Sequence, residues 1–153
     1  MSDPVESPAE VVDLGRLPER VGYALRRAQV AVYQDFHRSM AALDLRPAQY
    51  SVLHVIQHSP GLRPSQVAEA LGIKRTNFVP LLDELERSCL VERKRDLQDG
   101  RAITLHLMAE GEALLRKADR VVRAHERRLA KRLEPGGAEH LLRLLGQLAA
   151  DGG

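Results

Sequence analysis

The sequence predicts a mainly α-helical protein with a small β-hairpin, and three observations lead to that fold class. In several segments apolar residues recur at steps of three and four, which is the spacing of an amphipathic helix. One short stretch instead alternates apolar and polar residues, as a half-buried β-strand does. Aromatic residues make up only 3% of the 153 residues, so Leu, Val and Ala must fill the core of what we interpret as one domain.

Four helices are predicted before the hairpin, each from an apolar stripe bounded by Pro or Gly. Pro47 suits the first turn of the second helix, and Gly72 suits the position that follows the third. The four predicted helices are Leu17–Leu43, Pro47–His58, Pro64–Leu71 and about Arg75–Ser88.

The hairpin is predicted over residues 91–107, VERKRDLQDGRAITLHL. Ile103, Leu105 and Leu107 fall on one face of the second strand, which is therefore expected to be half-buried. The dipeptide Asp99-Gly100 supplies the chemistry of a tight turn. The sequence thus contains one two-stranded element among helices.

Two further helices follow the hairpin. The first is predicted from Ala109 to Leu133, and the second is the leucine-rich HLLRLLGQL that follows the breaker PGG at 135–137. The apolar stripes of the first and last helices of the chain would be exposed in a monomer. Contiguous apolar patches of that size rarely face water, so we expect a homodimer that shares them.

Composition and motifs exclude several classes of protein. The net charge is only +2, so affinity for nucleic acid must come from local placement of charge. No apolar run approaches the roughly 20 residues of a membrane span, and the opening residues lack a signal-peptide pattern. A single cysteine, Cys89, cannot form an intrachain disulfide and is expected to be a small packing residue. We therefore expect a cytoplasmic protein without a membrane partner.

Catalytic and metal-binding patterns are also missing from the sequence. We find no catalytic triad, phosphate-binding glycine loop or paired carboxylates, so no enzyme activity and no cofactor are expected. His54 and His58 are spaced i, i+4 on one predicted helix, a geometry that could hold a metal ion. No third ligand accompanies them, so we expect them to line a cleft or to cap the helix end, where the dipole favours histidine.

Two short helices separated by Gly72-Ile73-Lys74 have the layout of a helix–turn–helix, whose second helix can enter the major groove of DNA. Lys74 and Arg75 lie at the start of that second helix, where the helix dipole disfavours cations by roughly 0.3–1 kcal/mol each. Positive charge at this position is explained if the helix end faces phosphate. Thr76 and Asn77 follow and could contact bases or phosphate, or cap the helix instead.

The hairpin adds further cations beside this motif. Arg93 and Arg95 share one strand face, Lys94 lies on the other, and Arg101 follows the turn. A narrow cationic hairpin can enter a minor groove, where negative potential concentrates. Each base could instead be a solvated charge paired with Glu92, Asp96 or Asp99, but the cluster beside a helix–turn–helix favours DNA binding.

Three consecutive segments carry a resemblance to a known family. They read LRPAQYSVLHVI, SQVAEALGIKRTNFVPLLDELERSCLVERKRD and DGRAITLHLMAEG, a continuous match from about Leu45 to Gly111. The most specific part is Asp99-x-Arg101, followed by Leu105-x-Leu107 and then Gly111. This pattern resembles the winged-helix repressors of the multiple-antibiotic-resistance regulator (MarR) family, whereas the flanking helices match only in layout.

The resemblance implies a winged helix–turn–helix protein with long N- and C-terminal dimerisation helices, bound to a palindromic operator in double-stranded DNA. Its two recognition helices would lie about one helical turn apart, roughly 34 Å. The implied parts are a flexible acidic tail, an N-terminal dimerisation helix, a winged DNA-binding domain and C-terminal dimerisation helices, at residues 1–16, 17–45, 46–108 and 109–150.

The resemblance also assigns residues to DNA. Arg101 would be the wing contact in the minor groove, with Asp99 orienting it. The full set of expected DNA-binding residues is Arg63, Ser65, Gln66, Lys74, Arg75, Thr76, Asn77, Arg93, Arg95, Asp99 and Arg101.

A small-molecule effector is implied as well, lying between the dimerisation helices and the winged domain. Tyr and His can hydrogen-bond a phenol or a carboxylate, and Arg can neutralise an anion, although each residue could equally serve the core or an interface. We hypothesise an anionic aromatic ligand or its acyl-coenzyme A thioester. The expected ligand-binding residues are Tyr23, Arg26, Arg27, Tyr33, His37, Tyr50, His54 and His58.

Three positions depart from the family pattern. Pro80 stands where an arginine is common, and since proline is tolerated only in a helix's first turn, the recognition helix is expected to start late, near Thr76, or to bend. Gly100 replaces a common second wing arginine, so a more flexible tip is expected. Met108 replaces the usual threonine before the next helix and removes a cap.

One charged stripe and one alternative function stay open at this point. The region Arg116–Arg132 holds eight bases and two acids, mostly a solvated helix face. The bases that align at helical spacing, and that could contact an anionic ligand, are Arg116, Arg120, Arg123 and Arg127. The alternative to a DNA-binding regulator is a winged-helix module that binds another protein, which would need no cations at the helix start.

Overall fold

The computed structural model describes residues 12–150, so most of the predicted acidic tail, residues 1–11, lies outside the described residues. The predicted order of four helices, a hairpin and two helices is confirmed. The elements are α1 (Val21–Met40), α2 (Pro47–His58), α3 (Pro64–Ala70), α4 (Arg75–Arg87), β1 (Val91–Arg95), β2 (Ile103–Leu107), α5 (Ala109–Ala130) and α6 (Gly137–Ala150), with short 3-10 turns at Leu17–Glu19 and Ala41–Leu43.

The first helix is shorter than predicted. Instead of one helix from Leu17 to Leu43, α1 is flanked by the two 3-10 turns, and Asp44 ends the second turn with a left-handed φ of 48°. The chain divides into two compact units at Val32 and Tyr33, inside α1. The described part of the first unit is residues 12–32, which include the Leu17–Glu19 turn and the amino-terminal part of α1.

The second unit holds the hydrophobic core. Apolar side chains of α2, α3, α4, β1, β2 and α5 meet there, and Val52, Leu53, Val67 and Leu105 are completely buried. The predicted stripe of α4 is confirmed, since Phe78, Leu82 and Leu85 are all at most 2% exposed. Burying side chains of this size contributes about 1.5–3 kcal/mol each, so this stripe fixes α4 on the core.

The hairpin is antiparallel, with Val91 opposite Leu107 and Arg95 opposite Ile103. On its other side, β2 is fixed to the loop between α2 and α3: Gly61 N–H donates to the carbonyl of Leu105 at 3.0 Å, and Leu105 N–H donates to that of Leu62 at 2.9 Å. Gly61 has a φ of +85°, a conformation that glycine adopts without strain. The wing is therefore held by backbone hydrogen bonds to the helical domain.

The predicted Asp99-Gly100 turn is present within a longer loop, since Ala102 N–H donates to the carbonyl of Asp99 at 2.8 Å. The two strands are joined by seven residues, Asp96–Ala102. The Asp96 carboxylate accepts the N–H groups of Gln98 and Asp99, and Asp96 N–H donates to the carbonyl of Ala102 at 2.9 Å. An aspartate that bonds the backbone two residues on organises a loop by itself, so Asp96 orders the part of the loop that precedes this turn.

The two ends of α4 bear on the predictions for this helix. The helix begins at Arg75, within one residue of the expected start near Thr76, and Pro80 is its sixth residue, beyond the first turn. Cys89 is exposed rather than packed, with a φ of 56° just after α4. The loss of a cap at Met108 is confirmed, because that residue precedes α5 without a side-chain hydrogen bond.

Candidate nucleic-acid interface and effector residues

The start of α4 is open to solvent and carries no competing cap. Lys74 is the N-cap residue and makes no side-chain capping bond, and the first turn holds no acid. The carbonyl of Lys74 accepts the N–H groups of Asn77 and Phe78. The N-cap is therefore Lys74, and the prediction that Thr76 or Asn77 could cap the helix is wrong. Lys74, Arg75, Thr76 and Asn77 are all exposed. A helix start with free N–H groups and two cations is suited to bind phosphate.

A groove of about 660 Å³ shows which elements adjoin this helix start. Arg63 at the start of α3, Arg75 of α4 and Arg93 of β1 all line it, over an apolar floor that includes Phe78 and Ile103. The start of α3, the start of α4 and the wing base therefore border one surface. We call this surface the α3–α4 groove.

The three residues at the start of α3 that are expected to bind DNA differ in their contacts. Arg63 is the N-cap residue of α3 and lies 3.7 Å from Asp99 of the wing loop. Gln66 turns back so that its side-chain oxygen accepts the Arg63 N–H at 2.9 Å, which is a structural role at the helix end. Ser65 is exposed in the first turn.

The cations of the wing divide into paired and free groups. Arg93 bonds Asp83 at 2.6 Å and Glu86 at 2.8 Å, both on α4, and Lys94 bonds Glu92 at 2.7 Å. The expectation that Arg93 faces DNA is therefore in conflict with its ion pairs, because acids of α4 already occupy its guanidinium. Arg95 and Arg101 are exposed and make no ion pair within the described residues.

The wing loop is ordered by its two aspartates. The carboxylate of Asp99 accepts a hydrogen bond from the backbone N–H of Arg101 at 3.2 Å, which fixes the backbone at Arg101. Backbone N–H donation from Gln98 and Asp99 lowers the pKa of Asp96, so its carboxylate stays charged and keeps its place in the loop. The loop thus presents Arg101 from a hydrogen-bonded frame.

Three of the expected ligand-binding residues form a row along α2. The rings of Tyr50 and His54 lie 5.7 Å apart and those of His54 and His58 4.3 Å apart, with Phe36 packed against Tyr50. The Tyr50 hydroxyl donates to Asp119 of α5 at 2.9 Å. Burial, together with this bond to a carboxylate, raises the pKa of Tyr50 to about 12, so the phenol is protonated at neutral pH.

Two other expected ligand-binding residues, Tyr33 and His37, belong to the second unit but do not join this row. Tyr33 and His37 of α1 are exposed, and neither makes a ring contact with it among residues 33–150. In the first unit, Arg26 donates to Gln29 at 3.1 Å, Tyr23 is half-buried and Arg27 is exposed. The aligned bases of α5, Arg116, Arg120, Arg123 and Arg127, are exposed.

A buried ionic cluster was missed from the sequence. His125 of α5 is 2% exposed and donates from Nδ1 to Asp35 of α1 at 2.7 Å. Arg128, Arg132 and Arg38 approach the same carboxylate, at 3.2, 3.7 and 3.3 Å. The available signal was that Asp35 and His125 each interrupt the apolar stripe of a helix, a pattern that indicates a polar pair in the interior.

The histidines of α2 form no metal site in the structure. His58 instead bonds the carbonyl of His54 at 2.8 Å in the last turn of the helix. Over residues 12–150, no three His, Cys, Asp or Glu side chains come close enough together to hold a metal ion. No helix in that range has the length and hydropathy needed to cross a bilayer.

Comparison with known proteins gives consistent matches. The model of the MarR family matches residues 43–102. A putative transcriptional regulatory protein for the hcr operon of Thauera aromatica is 30% identical over 141 residues, covering 92% of this chain and 84% of the relative.

Two solved structures of the transcriptional repressor CouR are also similar. CouR bound to a 23-mer DNA duplex is 40% identical, with a TM-score of 0.86, over 92% of this chain and 99% of that one. CouR bound to p-coumaroyl-CoA is 39% identical, with a TM-score of 0.85, over 91% and 98% of the two chains. The sequence identity over nearly the whole chain, the matching fold and the cationic helix start agree: the chain belongs to the MarR family of winged helix–turn–helix, DNA-binding transcriptional regulators, which are not enzymes.

Proposed function

We propose that this chain is a transcriptional repressor that binds a palindromic operator as a homodimer and is released by a small anionic aromatic compound or its acyl-CoA thioester. The observation that carries the proposal is the uncapped start of α4, where Lys74 and Arg75 accompany free N–H groups beside the α3–α4 groove. The helix dipole disfavours cations at a helix N-terminus, and an anionic partner such as DNA phosphate would account for them. CouR, which is bound to DNA in a solved structure, supports this assignment.

The proposed contacts follow from the exposed groups. The first turn of α4 enters the major groove, where Thr76 and Asn77 reach base edges and Lys74 and Arg75 contact phosphate. Arg101 reaches the adjacent minor groove from the wing loop, where negative potential favours a guanidinium. Arg63, Ser65, Arg95 and the backbone of α3 complete the set as phosphate contacts.

The proposed dimer rests on the last helix. Five leucines of α6 are exposed by 37–70%, although leucine is a residue that folding normally buries. We assign α6, together with the N-terminal helix, to the dimer interface, with residues 46–108 as the DNA-binding part. Two recognition helices about 34 Å apart would then read two half-sites of a palindrome.

The effector proposal is based on the row of rings on α2 and on one relative. Tyr50, His54 and His58 offer a row of partly exposed rings, inclined at 36° and 32° to one another, on which an aromatic ring can pack. CouR binds p-coumaroyl-CoA, the thioester of an aromatic acid. A ligand that prefers a dimer geometry with displaced recognition helices must weaken DNA binding by the same coupling free energy.

Operator binding at several salt concentrations tests the DNA-binding part. Genomic fragments recovered with the protein supply the operator, and its affinity is measured between about 50 and 200 mM salt. Because phosphate contacts release counterions, affinity should fall by about 10³-fold or more over this range for six or more contacts. A protein that recovers no genomic fragment at low salt would be the protein-binding alternative instead.

A thermal-shift screen tests the effector part separately. The panel contains p-coumarate, related aromatic acids, their CoA thioesters and free CoA as the control. A ligand should raise the unfolding temperature and release bound operator at the same concentration. If no aromatic compound in the panel does either while operator binding is intact, the proposed effector class is wrong and the repressor assignment stands.

A further inference from the structure

One arginine of the wing, Arg93, forms ion pairs with two acids of α4. Arg93 lies on β1 opposite Leu105, and its two Nη atoms bond different acids, Asp83 at 2.6 Å and Glu86 at 2.8 Å. Its side chain is 33% exposed, and β1 packs against α4 at this point. A planar guanidinium is suited to such bridging, because its donors are fixed relative to each other.

The carboxyl half of α4 is acidic, although the proposed function places the start of this helix on DNA. It carries three acids, Asp83, Glu84 and Glu86, near an end where the helix dipole already disfavours negative charge. Each acid has an arginine from a neighbouring element: Glu84 bonds Arg46 at the start of α2 and also accepts from Gln49 at 3.3 Å. The acids are therefore neutralised by protein groups, and they hold α4 to its two neighbours.

We infer that Arg93 is a positioning residue for the wing and not a DNA contact. The Arg93 bridge fixes β1 against α4, so that Arg101 at the wing loop and Lys74 at the helix start keep a constant separation. The inference rests on the proposed function, since it says how that DNA-binding surface is held in register. The inference gives Arg93 a different role from Arg95, the proposed phosphate contact. Arg95 lies two residues further on the same strand face and has no ion pair within residues 12–150.

A positioning role for Arg93 predicts that its effect on operator binding depends on the acids of α4, whereas a DNA-contact role predicts that it does not. If Arg93 acts through Asp83 and Glu86, then Arg93→Ala should weaken operator binding by about tenfold in the native background and by less than about twofold in the Asp83→Asn, Glu86→Gln background. If Arg93 contacts phosphate, the same fold-loss should appear in both backgrounds. Operator affinities of the four proteins at one salt concentration give the comparison.

The salt dependence of binding gives a second readout. Arg93→Ala should leave the slope of log K against log salt unchanged, because no phosphate contact is lost. Arg95→Ala is the matched control on the same strand and should reduce that slope by about 1. A reduced slope for Arg93→Ala would overturn the inference and restore Arg93 as a DNA contact.

Hydrogen exchange without DNA separates this inference from the proposed function. Arg93→Ala should speed amide exchange several-fold in residues 93–103, whereas α2 should exchange as in the native protein. Arg93→Lys should restore protection only in part, since an ammonium cannot bridge both acids in the same fixed geometry. Unchanged exchange in the hairpin would show that the bridge does not hold the wing, whatever the protein binds.

Discussion

Asp35 illustrates how a single residue can stabilise the fold in a pH-dependent way. The residue is 7% exposed, and its carboxylate accepts a hydrogen bond from His125, while Arg128 and Arg38 lie close by. These groups, His125 foremost, lower the pKa of Asp35 to about 2. A carboxyl group whose pKa is lower in the folded than in the unfolded chain stabilises the fold above its unfolded pKa of about 3.9.

Stability contributed by Asp35 should therefore be lost as the pH falls from about 4 to about 2. Asp35→Asn should lower the unfolding temperature at neutral pH and flatten the pH dependence over this window, because amide and carboxylate are nearly the same size. Urea unfolding of both proteins between pH 2 and 7 checks the expectation, with the exposed Asp44→Asn as control. A difference between native protein and Asp35→Asn that is constant from pH 7 down to pH 2 would contradict it.

Arg101 is the residue on which the wing's role in DNA binding depends most. It is exposed and free of ion pairs among the described side chains, and Asp99 fixes its backbone. Arg101→Ala should weaken operator binding by about 1–3 kcal/mol with the unfolding temperature unchanged. Lys94→Ala on the same hairpin is the control, because Lys94 is paired with Glu92 and should matter little. Equal, small effects of both variants would remove the wing from the mechanism.

At the scale of elements, the junction of the hairpin with α5 depends on one glycine. A Cβ at Gly111 would lie 2.1 Å from the carbonyl oxygen of Leu90, which also accepts the N–H of Met108. Gly111→Ala must therefore push α5 away from Leu90, the residue before β1, and we expect a loss of about 3 kcal/mol of folding free energy.

A second helical glycine supplies the control for this prediction. Gly146 of α6 has no atom within 4 Å of an added Cβ, so Gly146→Ala should stabilise the protein by about 0.5–1 kcal/mol. Chemical denaturation of the two variants measures both changes. If Gly111→Ala were as stable as the native protein, α5 would not lie against Leu90 as described.

The sequence predicted elements well wherever the hydrophobic period decided the structure. The stripe of Phe78, Leu82 and Leu85 specified α4, and the alternation after Arg101 specified β2. The length of the wing loop was not predicted, because Asp96 makes hydrogen bonds that no periodicity reveals, whereas α4 starts within one residue of the position expected from Pro80. Local pattern gives elements, whereas tertiary contacts set their ends.

The residues of the candidate site show the same difference between local features, which the sequence reveals, and long-range contacts, which it does not. The cations at the start of α4 could be found from the sequence because they oppose a local rule, the helix dipole. The partners of Arg93 could not be found, because Asp83 and Glu86 are ten and seven residues away along the chain and become its neighbours only when β1 packs on α4. The cluster at Asp35 likewise joins residues 90 positions apart.

At the scale of the whole molecule, α6 shows that one chain leaves apolar surface uncovered. Leu141, Leu145 and Leu148 follow one another at helical spacing, and each is at least 37% exposed. The polar residues His140, Arg143 and Gln147 lie outside this stripe. An amphipathic helix with an exposed apolar face is stable in water when a second surface covers it, and a second copy of the same chain meets that need in the proposed repressor.

Leu145→Arg combined with Leu148→Arg should therefore convert the dimer to a monomer. An unpaired charge buried in an interface costs several kcal/mol, so the dimer dissociation constant should rise on the order of 100-fold or more. His140→Arg with Gln147→Arg adds similar charge outside the stripe and should leave the dimer intact. Analytical ultracentrifugation gives both constants.

DNA binding by the same leucine variant separates assembly from recognition. A duplex with a single half-site should be bound equally by native protein and variant, because the α3–α4 groove and the wing are unchanged. The full palindrome should be bound about 100-fold more weakly by the variant, because the second half-site no longer benefits from effective concentration. If the variant remained a dimer, α6 would not form the interface. If it became a monomer yet bound the palindrome as tightly as the native protein, operator recognition would not depend on pairing.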